Sequence, residues 1–202
     1  MLPEMTSPPA VSSPAPDDAE VIAASLSDSE RFATIFDRHV EEIHHYIARR
    51  VGTDAADDIV AETFLAAFRR RSVYDVSRSD ARPWLYGIAT TLVARHRRSE
   101  VRYLRALSRT GADPLPESLA DGVVNRLVTH DQKRRLAGAL ATLGQGDRDA
   151  LLLVVWGELT YEETARALDI PLGTVRSRLN RARHKLRARL GRNDLTKETH
   201  DG

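Results

Sequence analysis

The chain has 202 residues, of which 42% are hydrophobic, 29% charged and only 5% aromatic, a balance that suits a soluble, core-forming protein of one or two domains. Thirty Lys and Arg oppose 29 Asp and Glu, but the charges are segregated: residues 1–30 carry six acids and no Lys or Arg, whereas 170–192 carry eight bases and no acid. Zero Cys excludes disulfides, thiolate metal sites and a Cys nucleophile, no apolar run approaches the roughly 18 residues of a membrane span, and the N-terminus lacks the basic and apolar parts of a secretory signal, so a cytoplasmic protein without membrane insertion is expected.

Residues 1–28 are rich in Pro, Ser, Ala and acid and predict a flexible tail, because they offer too little apolar surface to offset the entropy of ordering. From Glu30 the residues Phe32, Ile35, Phe36, Ile43, Tyr46 and Ile47 recur at helical spacing until Val51, where Gly52 stops the helix. A second helix over residues 54–71 carries Ile59, Val60, Phe64, Ala67 and Phe68. Residues 72–82 lack periodicity and read as a loop. Pro83 suits a first helical position, where its missing N–H has no intrahelical partner anyway. Trp84, Leu85, Ile88, Leu92 and Val93 continue that third helix to basic residues near Arg98, completing a unit over 29–99. Residues 100–122, with Gly111, Pro114, Pro116 and Gly122, read as a flexible linker, with a helical start as the alternative for its first residues. A second unit over 123–191 follows, with helices over 123–143 and 148–156 and a further pair beyond them, and then a short tail, 192–202. Nothing reads as a strand, so the expected fold is all-α: two small helical domains on one chain.

The most specific pattern lies in residues 160–190, TYEETARALDIPLGTVRSRLNRARHKLRARL. Thr160 and Glu163 form a capping box, each able to satisfy an N–H of the other, and a short helix to Leu168 follows. Residues 169–173 make a tight turn. Val175, Leu179, Ala182 and Leu186 then fall at steps of four, three and four, which buries one face of a last helix and turns the basic face outward. A short helix, a tight turn and a longer basic helix describe a helix-turn-helix, whose second helix enters the DNA major groove. Ser177, Asn180 and Arg181, near the centre of the outward face, are expected to reach bases; Thr174, Arg176, Arg178 and Arg183 flank them, the arginines facing phosphates.

On the second helix Asp54, Asp58 and Glu62 are spaced by four and line one face, with Asp57 beside them. Acids in that pattern are a solvated face favoured by the helix N-terminus, or ligands of a metal-dependent nuclease; no His joins them at metal-ligand spacing, so no metal and no cofactor is expected. Arg95, His96, Arg97 and Arg98 cluster where the third helix ends, a position that suits both the helix dipole and phosphate.

The segment GELTYEETARALDIPLGTVRSRLNRARHKLR resembles region four of the extracytoplasmic-function RNA polymerase sigma factors, which reads the minus-thirty-five promoter element. DAADDIVAETFLAAFRRR (54–71) resembles their region two helix, and RPWLYGIATTLVARHRR (82–98) the segment that reads and melts the minus-ten element. The resemblance implies a non-enzymatic subunit of core RNA polymerase. In this family Asp58 and Glu62 would dock on the beta-prime clamp helices, region four would meet the beta flap, and Arg95, His96, Arg97 and Arg98 would hold duplex DNA upstream of the melted bases. The loop from Tyr74 to Arg82 would hold a flipped base. Domains that move independently would leave room for an anti-sigma factor to clamp them. A helix-turn-helix regulator acting without polymerase is the alternative for the same C-terminal pattern.

Overall fold

The computed structural model describes residues 15–110 and 130–191, and within them every regular element is helical. The helices are α1 Asp18–Ala24, α2 Ala33–Val51, α3 Thr53–Arg70, α4 Arg82–Arg95, α5 Arg97–Thr110, α6 His130–Ala141, α7 Gln145–Val155, α8 Tyr161–Leu168 and α9 Leu172–Gly191. Among the described residues no helix is long and apolar enough to cross a membrane.

The apolar stripes read from the sequence are the surfaces that pack. Ile35, Ile43, Tyr46 and Ile47 of α2 are buried against Ile59, Val60 and Phe64 of α3 and Leu85, Ala89 and Val93 of α4. Edge-on aromatic pairs, Phe32 with Phe68 and Phe36 with Phe64, tie α3 to the start of α2. Gly52 stands at a φ of +88°, which favours glycine, and lets α3 begin one residue after α2 ends. Trp84 is half-buried and lies against Tyr74 with ring centroids 4.9 Å apart, so its ring belongs to the packed stripe.

Two stretches differ from the sequence reading. Within the expected tail over 1–28, residues 18–24 form α1, while residues 1–14 lie outside the described part. The reason is a reciprocal cap: the Asp17 carboxylate accepts from the Glu20 N–H at 2.9 Å and Glu20 accepts from the Asp17 N–H at 3.1 Å, while Val21 and Ile22 are buried. Asp18 then anchors the helix, accepting from Arg38 (2.9 Å), His39 Nε2 (2.7 Å) and the Ala81 N–H (3.0 Å). Within the expected linker, residues up to Thr110 form α5, because Glu100 and Leu104 share its buried face; residues 111–122 lie outside the described part, as do 123–129 of the expected 123–143 helix and the tail 192–202.

The Asp18–His39 contact gives the fold a pH dependence. Burial alone would push His39 down, but Asp18 and Glu42 on either side of its ring overcome this and raise it to about 9. Burial likewise opposes ionisation of Asp18, and hydrogen bonds from His39, Ala81 and Arg38 lower it to about 2. A raised His contributes stability that is complete below its ordinary value near 6.5 and is lost as pH rises through about 9; the lowered Asp loses its contribution between about 4 and 2. Thermal stability is therefore expected to fall between pH 6.5 and 9, and His39→Gln should flatten that limb in calorimetry.

The two helical groups are in direct contact. α4 is covered on one side by α2 and α3 and on the other by α8. A Cβ built on Gly87 of α4 would stand 2.4 Å from the Ala167 carbonyl oxygen, so the two backbones touch. Arg82 reaches both ways, Nε donating to Glu42 at 2.9 Å and Nη2 to the Gly157 carbonyl at 3.1 Å. At the centre of the contact Arg50, fully buried, donates to Glu100 (2.7 Å), to the Tyr46 hydroxyl (2.7 Å) and to Asp149, while Arg148 pairs with Glu100 at 3.0 Å. Two cations and two anions thus neutralise one another where α2, α5 and α7 meet, which is the condition for burying them at all.

Candidate nucleic-acid interface

The helix-turn-helix is built by local rules. Thr160 caps α8, its hydroxyl accepting from the Glu163 N–H at 3.2 Å while its own N–H and its hydroxyl each donate to Glu163 Oε2 at 2.8 Å; burial works against the Glu163 carboxylate, and these two donated bonds outweigh it to hold the group below its usual range. Asp169 closes α8 in the left-handed region at φ +50°, and after Ile170 and Pro171 the chain starts α9. Val175, Leu179 and Ala182 are buried and Leu186 is half-buried, so the expected stripe faces the core.

That orientation leaves Arg176, Ser177, Asn180, Arg181, Arg183 and His184 exposed on one side of α9, with Thr174 half-buried in its first turn. They are not equally available. Arg181 Nη2 lies 3.0 Å from Asp147 Oδ1 and Lys185 Nζ 3.4 Å from Asp147 Oδ2, so one carboxylate at the start of α7 holds two cations of the basic helix. Arg178 is half-buried, its guanidinium laid over Gly146 in the cleft that also contains Thr91 and Arg166. Arg183 donates to the Tyr161 hydroxyl at 2.9 Å, which ties α9 to α8.

The second basic set sits at the junction of α4 and α5. α4 ends at Arg95, His96 takes a non-helical turn at φ −90° and ψ 21°, and α5 restarts at Arg97. Arg95, His96 and Arg98 are exposed; the Arg97 side chain lies outside the described atoms. On α3, Asp58 and Glu62 are exposed on one face, and Leu65, seven residues beyond Asp58 on the same face, is 46% exposed, an apolar side chain where a partner could cover it. Arg95 Nη1 lies 3.3 Å from Glu62 Oε1, so the acid face and the basic junction are neighbours. Asp57 pairs instead with His44 at 3.0 Å.

Two family models match the chain. Residues 35–103 match the family model for sigma-70 region 2, and residues 133–186 that for sigma-70 region 4. The ECF RNA polymerase sigma factor SigC of Mycobacterium tuberculosis is 33% identical over 186 residues, 90% of this chain and 97% of the relative. The chain belongs to the extracytoplasmic-function sigma factors. SigW of Bacillus subtilis is 30% identical over 170 residues, covering 81% of this sigma factor and 90% of the relative. The fold is shared with two solved structures: CnrH in complex with the cytosolic domain of CnrY (TM-score 0.59, 24% identity, 86% of this chain and 97% of that one), and the sigma factor RpoE in complex with the anti-sigma factor NepR from Bartonella quintana (TM-score 0.55, 19% identity, 79% and 96%).

As a sigma factor the chain is a promoter-recognition subunit of RNA polymerase that also contacts DNA. Its structure leaves Arg176, Ser177, Asn180, Arg181 and Arg183 on one exposed side of α9, turns Arg178 into the cleft, and sets Arg95 beside Glu62. Sequence reasoning does not give the Asp147 pairing with Arg181 and Lys185 or the exposure of Leu65. Asp147 and Lys185 are 38 residues apart, and their pairing has no local signal. Leu65 had one, an apolar residue outside the buried stripe of α3.

Proposed function

We propose that this sigma factor reads the minus-thirty-five element with Thr174, Arg176, Ser177, Arg178, Asn180, Arg181 and Arg183 of α9, holds duplex DNA beside the minus-ten element with Arg95, His96, Arg97 and Arg98, and docks on the beta-prime clamp helices of core polymerase through Asp58 and Glu62, with Leu65 as the apolar centre of that contact; region 4 meets the beta flap. It acts in the cytoplasm with the polymerase and has no catalytic step of its own: binding of the unpaired strand by the first unit offsets unstacking, and polymerase supplies the nucleotidyl transfer. The observation that carries this reading is the exposed base-rich face of α9 opposite a fully buried Val175, Leu179 and Ala182.

Two elements named for positions ten and thirty-five are separated by roughly 25 base pairs, about 85 Å at 3.4 Å each, whereas the 20-residue α9 spans about 30 Å. With α4 and α8 touching at Gly87, the readers must part before both elements are engaged. An anti-sigma factor, of the kind bound in the Bartonella structure, fits as a partner that favours the closed arrangement. In run-off transcription on a promoter library, purified chain plus core polymerase should initiate where core alone does not. Glu62→Lys should lower capture by core polymerase about tenfold or more, the scale of a hot-spot loss; undiminished capture would remove the docking assignment.

A further inference from the structure

α5 carries Arg98, Arg102, Arg105 and Arg109 at steps of four, three and four, which place them on one face, while Glu100 and Leu104 are buried on the other. All four arginines are exposed, and among the described residues none of them forms an ion pair. Together with Val101 and Ser108 they line one open groove. α6 packs alongside and adds Arg134, whose Nε donates to the Ser108 carbonyl at 3.3 Å. Among the described residues the acids on α5 and at the start of α6 are already engaged: Glu100 is buried on Arg50 and Arg148, and Asp131 pairs with Arg135 at 2.9 Å. From Arg98 to Arg109 the stripe runs about 16 Å, and it begins where the basic end of α4 stops.

We propose that this face of α5 binds the sugar-phosphate backbone of the duplex DNA lying between the two promoter elements, an inference that rests on the promoter-binding reading above. Unpaired guanidinium groups at near-regular spacing match a row of phosphates, which contribute affinity and register without base preference. Among the described residues no aromatic side chain lines the groove, and single strands are held chiefly by stacking on such side chains, which favours a duplex as the ligand. Continuity with Arg95 and His96 sets the direction: DNA leaving the minus-ten cluster passes directly onto α5.

The test uses the full chain with Arg102→Ala, Arg105→Ala and Arg109→Ala combined, exposed changes to a strong helix former that keep α5 helical. With core polymerase, capture should be unchanged while promoter affinity becomes less salt-dependent, the log–log slope falling by roughly 2 to 3 at about 0.9 per phosphate contact. Lys at the same three positions should restore most of the slope. The chain alone on duplex DNA of arbitrary sequence should show the same direction of change, a readout that stands even where initiation by the wild-type holoenzyme fails and the promoter reading falls with it. An unchanged slope in both assays identifies a solvated face and overturns the proposal. Weaker core capture with an unchanged slope identifies an acidic protein surface as the partner and overturns it equally.

Discussion

Replacing Gly87 with Ala is expected to part the two helical units. The added Cβ would stand 2.4 Å from the carbonyl oxygen of Ala167 and 3.2 Å from its Cα, and these are backbone atoms that no rotamer change can move aside. Overpacking of this kind costs about 1–3 kcal/mol, which shifts the balance between closed and parted arrangements roughly 5- to 150-fold. Ala is a better helix former than Gly by about 1 kcal/mol, so α4 itself is strengthened and the loss is confined to the contact with α8. Small-angle scattering should show a larger radius of gyration with unchanged helical circular dichroism. Parting also uncovers the side of α4 that carries Ile88 and Thr91, which line the cleft against α8, and a single strand carrying the minus-ten element should then bind the free chain more tightly. A variant as compact and as stable as the wild type would show that the contact yields elsewhere and does not gate that surface.

Arg50→Met should be the most destabilising single change at the contact. It removes the cation that Glu100, Asp149 and the Tyr46 hydroxyl share, and leaves two buried carboxylates with only Arg148 between them. Breaking one partner out of a buried ionic set costs about 3–5 kcal/mol, a large part of the 5–15 kcal/mol that stabilises an ordinary domain. Adding Asp149→Asn should recover part of the loss, because Glu100 and Arg148 then remain as a balanced pair. Burial pushes the Asp149 carboxyl up against the pull of Arg50, so removing Arg50 moves it further in the same direction. Urea unfolding would check this: an unfolding free energy within about 1 kcal/mol of the wild type would mean that water reaches the set and that it is not a dry core.

Both expectations concern a contact that no stretch of sequence announces. Arg50, Glu100, Arg148 and Asp149 each read as ordinary surface charges on amphipathic helices, and only when α2, α5 and α7 converge do they become mutual partners. The same holds for Asp147, which holds Arg181 and Lys185 from 34 and 38 residues away, and for Glu62, which Arg95 meets from 33 residues away. The expected tail shows the opposite error: its composition outweighs the D-x-x-E cap at Asp17 and Glu20, whereas the helical start left open for the linker is α5.

What the chain determined by itself was local: where helices start and stop, which face of each is apolar, and that the last one is basic on its outer side. Those features depend on neighbours within four residues, through caps, turns and the 3.6-residue period, and they were sufficient to show a helix-turn-helix and the family resemblance. Which charges are free to meet DNA, which are locked against partners, and that the two readers rest face to face were decided only by tertiary packing. Ion pairs and backbone contacts across 34 to 99 residues of separation have no period to betray them; they exist because burying apolar faces brings distant groups within reach, after which each buried charge must find its counterpart.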